Sequence, residues 1–158
     1  MRGSDGYDPA MQRHHLVPLQ VMRHIHFKDL FEKLQITRCK FDDFRLNGLL
    51  LPAQESAARR TGLPMHRGPH RHYNEMVMQR VGQIDSGFQR TRRRFPNIAG
   101  DSALMRLQLL ARALRRRLSE QGRSPITLNS YDPIGAAQDF TNLDSLADNL
   151  WTASETAV

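Results

Sequence analysis

All seven histidines of this 158-residue chain lie between positions 14 and 72. The run Arg13-His14-His15-Leu16-Val17-Pro18 opens that window, and Met65-His66-Arg67-Gly68-Pro69-His70-Arg71-His72-Tyr73-Asn74 closes it. A chain using histidine only as a surface or core residue would scatter it more evenly, so the fold must account for two separated clusters. Imidazole holds a divalent metal through a neutral nitrogen and takes up a proton near neutral pH. At the end of an apolar strand a tandem pair suits both tasks, because successive side chains point to opposite faces. One ring can bind a metal while its neighbour meets a water or a substrate, and the second cluster then supplies the remaining ligands.

The length suffices for one domain with its own core. Lys+Arg 23 against Asp+Glu 16 gives a formal charge of +7, which favours a polyanionic partner such as nucleic acid. The single cysteine, Cys39, excludes an internal disulfide framework and a thiolate metal site. No stretch approaches the roughly 20 apolar residues of a membrane helix, and the N-terminus has no apolar signal-peptide core, so no membrane insertion is expected.

Residues 1–11, with Gly3, Ser4, Gly6 and Pro9, read as an irregular lead-in or an expression remnant. His14 to Leu19 reads as a short strand stopped by Pro18, which cannot donate to a ladder. Val21, Ile25, Leu30, Phe31 and Leu34 stand at near-helical spacing, giving a short amphipathic helix or two helical turns over 20–35. Phe41, Phe44 and Leu46 lead into Asn47-Gly48, a pair that tolerates positive φ and predicts a tight reversal between two extended segments. Residues 53–64 are weakly patterned and read as a loop.

Gly68-Pro69 precedes a helix on which Tyr73, Val77, Val81, Ile84 and Phe88 recur at steps of three and four. His70 sits at or near its N-terminus and shares a face with Asn74. The basic run Arg90, Arg92, Arg93 and Arg94 ends at Phe95-Pro96. The strongest helix signal covers 101–121, with Asp101 or Ser102 as N-cap, Leu104, Leu107, Leu110, Ala111, Leu114 and Leu118 as its apolar positions, and Gly122 as a stop. Arg112, Arg115, Arg116 and Arg117 crowd its C-terminal half, where they suit the helix dipole. Residues 123–140 read as loop and 142–151 as a short final helix.

His14-His15-Leu16-Val17-Pro18, then Asn47-Gly48 with Leu51-Pro52, then His66 and His70 with Tyr73 shortly after, resemble the AHH family of toxin nucleases within the HNH/endonuclease VII (ββα-metal) superfamily. The likeness covers residues 12–85, and Arg13 stands where the family name places an alanine. It implies an α+β fold, helix-rich overall, with a ββα-metal (His-Me finger) core in which a β-hairpin and a helix grip one divalent cation. The core would run over 12–95 and a helical C-terminal extension over 96–158, packed on it as a single domain. By the same resemblance His14, His66 and His70 are metal ligands, with Asn74 as the alternative. His15 is the general base that takes a proton from the attacking water, and Asn47 supports the loop around it.

The residue chemistry is compatible with these roles. Phosphodiester hydrolysis needs an activated water and stabilisation of charge on the phosphate and the departing oxygen. A histidine can supply the first at neutral pH and a metal the second. An all-imidazole set accepts Zn²⁺ or Mn²⁺ more readily than Mg²⁺, which prefers carboxylate and water, and all three ions stay open. Arg13, Arg67, Arg71, His72, Arg92 and Arg93 are the candidate nucleic-acid contacts, each basic side chain adding sequence-independent, salt-sensitive affinity.

The resemblance implies a metal-dependent, largely non-specific endonuclease, acting on DNA in preference to RNA. It further implies the toxic C-terminal module of a larger secreted effector, delivered by a secretion system into a target-cell cytoplasm. An acidic immunity protein is the expected inhibitor of so basic a chain. Two rivals belong to other classes: a nucleic-acid-binding module without catalysis, and a structural domain in which four histidines close a tetrahedral metal site.

Overall fold

The computed structural model describes residues 8–37, 41, 43–67, 70–120 and 128. Its elements run in the order β1 (Met11–His15), α1 (Leu19–Arg23), a 3-10 turn (Ile25–Phe27), α2 (Lys28–Lys33), α3 (Phe44–Asn47), β2 (Gly48–Pro52), α4 (Glu55–Thr61), α5 (Arg71–Arg92) and α6 (Pro96–Ser119). This is a helix-rich α+β fold in which two strands and α5 make a ββα core. No helix among the described residues is long and apolar enough to cross a membrane.

The strands pair antiparallel, from Met11 opposite Pro52 to His15 opposite Gly48. They are not a tight hairpin, because residues 16–47 with their helical turns lie between them. Asn47-Gly48 is accordingly not the predicted reversal. Asn47 ends α3 and Gly48 starts β2 with an extended backbone at φ −133°. The reason is tertiary. The buried Asn47 amide accepts from the Val17 N–H at 2.7 Å and donates to the carbonyls of Val17 at 2.8 Å and Phe41 at 3.1 Å. Its own carbonyl accepts from the Leu16 N–H at 3.1 Å. Asn47 is thus spent on closing the long connection against β1, and local turn chemistry does not decide its conformation. With β1 ending at His15, Pro18 serves as N-cap of α1 and does not terminate a strand.

Two further boundaries differ from expectation. Residues 55–61 form α4, stopped by Gly62 in the left-handed region at φ 67°, where its N–H reaches the Ala58 carbonyl. Only Ala57 of that helix is buried, so its apolar pattern is nearly invisible in sequence. α6 begins at Pro96, a ring suited to the first helical turn, which leaves Asp101 and Ser102 inside the helix. The extra turn buries Ala99, which like Ala103 just beyond it carries little hydropathic signal. The sequence features read over 123–127 and 129–158 lie outside the described residues.

α5 and α6 form the largest packing surface, joined by a three-residue turn that sends the chain back along itself. α5 buries Tyr73, Met76, Val77, Val81, Ile84 and Phe88, and α6 buries Leu107, Leu110, Leu114 and Leu118. Leu16 and Leu51 from the sheet side, with Val21, Leu30 and Phe31, complete one hydrophobic cluster. Because β1 leads directly into Leu16 and Val17, burying those two residues fixes His14 and His15 at the edge of the core.

Asn47→Ala is expected to lower the unfolding free energy by roughly 3 kcal/mol, since it strands buried main-chain groups at Val17 and Phe41. Urea unfolding measures this, and a loss below about 1 kcal/mol would show that water takes over those partners.

Candidate metal centre

Three elements deliver three imidazoles to one point. His14 hangs from β1 at 3% exposure. His66 lies in the α4–α5 connection, tied to β2 by its N–H, which donates to the Pro52 carbonyl at 2.7 Å. His70 is the N-cap of α5. One ring nitrogen from each lies within 4.8 Å of the other two. The ring centroids are 4.9 Å apart for His14 and His66, 5.4 Å for His14 and His70, and 4.4 Å for His66 and His70.

Hydrogen bonds to the far side of two rings decide which nitrogen is available. His66 Nδ1 stands 3.0 Å from the Gln12 amide oxygen, and His70 Nδ1 lies against the Leu128 carbonyl. Both partners are acceptors, so both rings carry their proton on Nδ1 and present the Nε2 lone pair. Those two Nε2 atoms are only 2.7 Å apart, and His14 Nε2 is buried without a hydrogen-bond partner among the described residues. At that distance the two nitrogens either share a proton or, with a small separation of the rings, turn their lone pairs toward a common cation. The donor set and its outer partners fit a divalent metal, with Gln12 and Leu128 as the groups that orient the rings.

Protonation is a poor substitute. Burial, reinforced by the neighbouring His66, His70 and His15, lowers His14 to about 3. Burial and then His70 lower His66 to about 4. Tyr73, one turn into α5, supports the cluster from below. Its ring meets His14 edge-on at 5.0 Å and its hydroxyl donates to the Leu16 carbonyl at 2.6 Å. Full burial pushes that hydroxyl well above the usual phenol range, so it stays a donor.

The other candidate residues are distributed as follows. His15, the half-buried last residue of β1, faces away from His14 and meets the Phe44 ring edge-on at 6.4 Å. Arg13 lies over the same ring with its guanidinium carbon 4.3 Å from the centroid. Asn74 is half-buried one turn after His70 and donates its backbone N–H to the His70 carbonyl at 2.9 Å. Arg67, Arg71 and His72 are exposed beside the cluster in sequence, with His72 3.9 Å from the Glu75 carboxylate. Arg92 and Arg93 are not brought near it. They stand at the other end of the 22-residue α5, about 30 Å away, where Arg92 is paired with Asp29.

Gln12, Leu128 and the Tyr73 hydroxyl were not singled out by sequence. Gln12 shares the His14 face of β1 by strand alternation, and Tyr73 appeared in the apolar stripe and in the family resemblance without its hydroxyl being given a role. Nothing local marks a main-chain carbonyl at 128 as a histidine partner.

The linkage sign follows from the lowered values. An unfolded histidine titrates near 6.5, so below that pH the unfolded chain takes up protons that folded His14 refuses until about 3 and His66 until about 4. Stability present above pH 6.5 is therefore lost as pH falls. In EDTA, resistance to unfolding by urea should fall on acidification below about pH 6.5. At pH 7.5 Zn²⁺ should raise the melting temperature, and that gain should shrink toward pH 5 as protons compete for the nitrogens. An unchanged melting temperature with every divalent cation would count against the centre.

Comparison with curated proteins and with solved structures yields no match. Comparison with protein families yields one: residues 1–114 match AHH, a nuclease family of the HNH/ENDO VII superfamily with conserved AHH. The match extends past residue 85 through most of α6, and at its signature this chain reads Arg13-His14-His15. It covers the strands, α5 and all three converging histidines, so the chain belongs to the AHH nuclease family and is a metal-dependent endonuclease with nucleic acid as its substrate.

Proposed function

We propose that His14, His66 and His70 hold one divalent cation and that His15 is the general base of a largely non-specific DNase. The observation that carries this reading is the convergence of three imidazole nitrogens, two with their tautomers set from outside and the third buried without a hydrogen-bond partner among the described residues. A bound cation would supply charge stabilisation at the phosphate and the leaving oxygen. The all-nitrogen donors favour Zn²⁺ or Mn²⁺ over Mg²⁺. Asn74, on the His70 face of α5, is the further donor available on that side.

His15 is adjacent to a ligand in the chain but projects from the other strand face, which keeps it out of the ligand set, and from that face it would take a proton from water. Asn47 supports it by holding Leu16 and Val17, the residues that leave β1. Arg13, Arg67, Arg71 and His72 are the phosphate contacts nearest the site. Arg92 and Arg93 would extend the track along α5.

The net charge of +7 supports a polyanionic substrate and an acidic inhibitor. DNA over RNA follows the family resemblance. On the same basis the chain is the toxic module of a larger effector, carried by a secretion system into a target-cell cytoplasm and neutralised in its producer by an acidic immunity protein. Residues 12–95 form the catalytic core in this reading, and α6 belongs to an extension packed on it.

Incubating supercoiled plasmid and a structured RNA with the chain in Mg²⁺, Mn²⁺, Zn²⁺ or EDTA tests the assignment. Plasmid should be nicked and linearised with metal and left intact in EDTA. His15→Ala should slow cleavage by about 10²–10⁴-fold while keeping the metal. Degraded RNA beside intact plasmid would make the chain an RNase. Loss of metal binding in His15→Ala would move that residue into the ligand set.

A further inference from the structure

The pair Arg13 and His15 is held by a residue that the nuclease chemistry does not require. The two side chains stand at i and i+2 of β1 and so share the face opposite His14. Both meet the half-buried ring of Phe44. The Arg13 guanidinium lies over its face at 4.3 Å, and the His15 imidazole meets it at 87° with centroids 6.4 Å apart. The ring can stand there only because position 48 carries no side chain. A Cβ on Gly48, the residue paired with His15 across the sheet, would lie 2.0 Å from Phe44 Cδ2 and 2.4 Å from Cε2 and Cγ.

The short helix bearing Phe44 is fixed from several sides. Four residues make no stable helix alone. Asp43 caps α3 by accepting from the Arg45 N–H, and Asn47 ties its last turn to Val17. From α6, one Arg115 nitrogen donates to the carbonyls of Arg45 at 2.9 Å, Leu46 at 3.1 Å and Gly48 at 3.1 Å. That clamp fixes the height of Phe44 above the strand end, and a rigid support for reacting groups is what catalytic geometry demands.

We propose that Phe44 is a positioning residue, whose ring, admitted by the bare backbone at Gly48, orients the His15 imidazole and the Arg13 guanidinium as one unit, a proton acceptor beside a phosphate-binding cation. The inference rests on the roles proposed above for His15 and Arg13. It predicts that removing an aromatic ring with no chemistry of its own disturbs both.

The test compares Phe44→Ala, Phe44→Tyr and Gly48→Ala in the full chain by imidazole proton–carbon NMR, plasmid-cleavage kinetics and Co²⁺ affinity, with His15→Gln identifying the His15 signal. Phe44→Ala should move the His15 signal, lower kcat on the order of 10–100-fold and raise KM. Co²⁺ affinity should fall by less than the roughly tenfold that loss of a ligand's support causes. Phe44→Tyr should restore all three, and Gly48→Ala, which adds one methyl group, should reproduce the defect by displacing the ring. If Gly48→Ala does not fold, the two Phe44 variants decide. An unmoved His15 signal in Phe44→Ala, or cleavage and metal affinity lost in parallel, overturns the proposal. A wild-type chain that cleaves nothing with any metal overturns the nuclease roles, and with them the unit as an acceptor–phosphate pair, while the His15 signal separately shows whether Phe44 orients the ring.

Discussion

Three imidazoles crowd together here because contacts that do not involve imidazole put them there. The antiparallel register of β1 and β2, the Pro52 carbonyl holding His66 and the burial of Leu16 and Tyr73 set the positions. Only then do Gln12 and Leu128 turn two rings so that their lone pairs face inward. The cluster is locally unfavourable without a cation, since burial and mutual repulsion keep protons away from His14 and His66. A buried ring nitrogen such as His14 Nε2, left without a hydrogen-bond partner among the described residues, is a mark of function, because folding energetics alone would select against it.

The rest of the architecture can be understood as the support this crowding requires. α5 contributes His70 as its cap, Tyr73 from its first turn, and then a long apolar face against α6. α6 returns that support twice, through its leucines in the core and through Arg115, which reaches the carbonyls around α3. One face of β1 thus belongs to the metal centre and the other to Arg13, His15 and Phe44. In the proposed mechanism, strand alternation would separate cation binding from proton transfer across the thickness of a single chain.

Much of this was legible in the sequence. The clustering of histidine marked the two segments that converge, the family resemblance picked out His14, His66 and His70 within them, and the three-and-four spacing of Val77, Val81, Ile84 and Phe88 marked the long helix carrying one of them. What was not legible has physical causes. α4 and the first turns of α6 bury alanines, Ala57, Ala99 and Ala103, whose hydropathy barely separates a covered face from an open one. Asn47-Gly48 carries a turn signal at a site where a tertiary network recruits the asparagine and a neighbouring ring requires the glycine. Gln12 and Leu128 act across 54 and 58 residues of chain, a separation no local pattern encodes.

Leu128 lies beyond the 114 residues that match the family, yet its carbonyl receives the His70 proton while its side chain is buried in the core at 1% exposure. Coupling of this kind is reciprocal: whatever free energy an ion gains from a correctly turned His70 is returned as added grip on Leu128. The seating of this distal residue and occupancy of the centre are therefore two readings of one equilibrium. A ligand that lifted Leu128 from its place would weaken cation affinity without touching a single histidine.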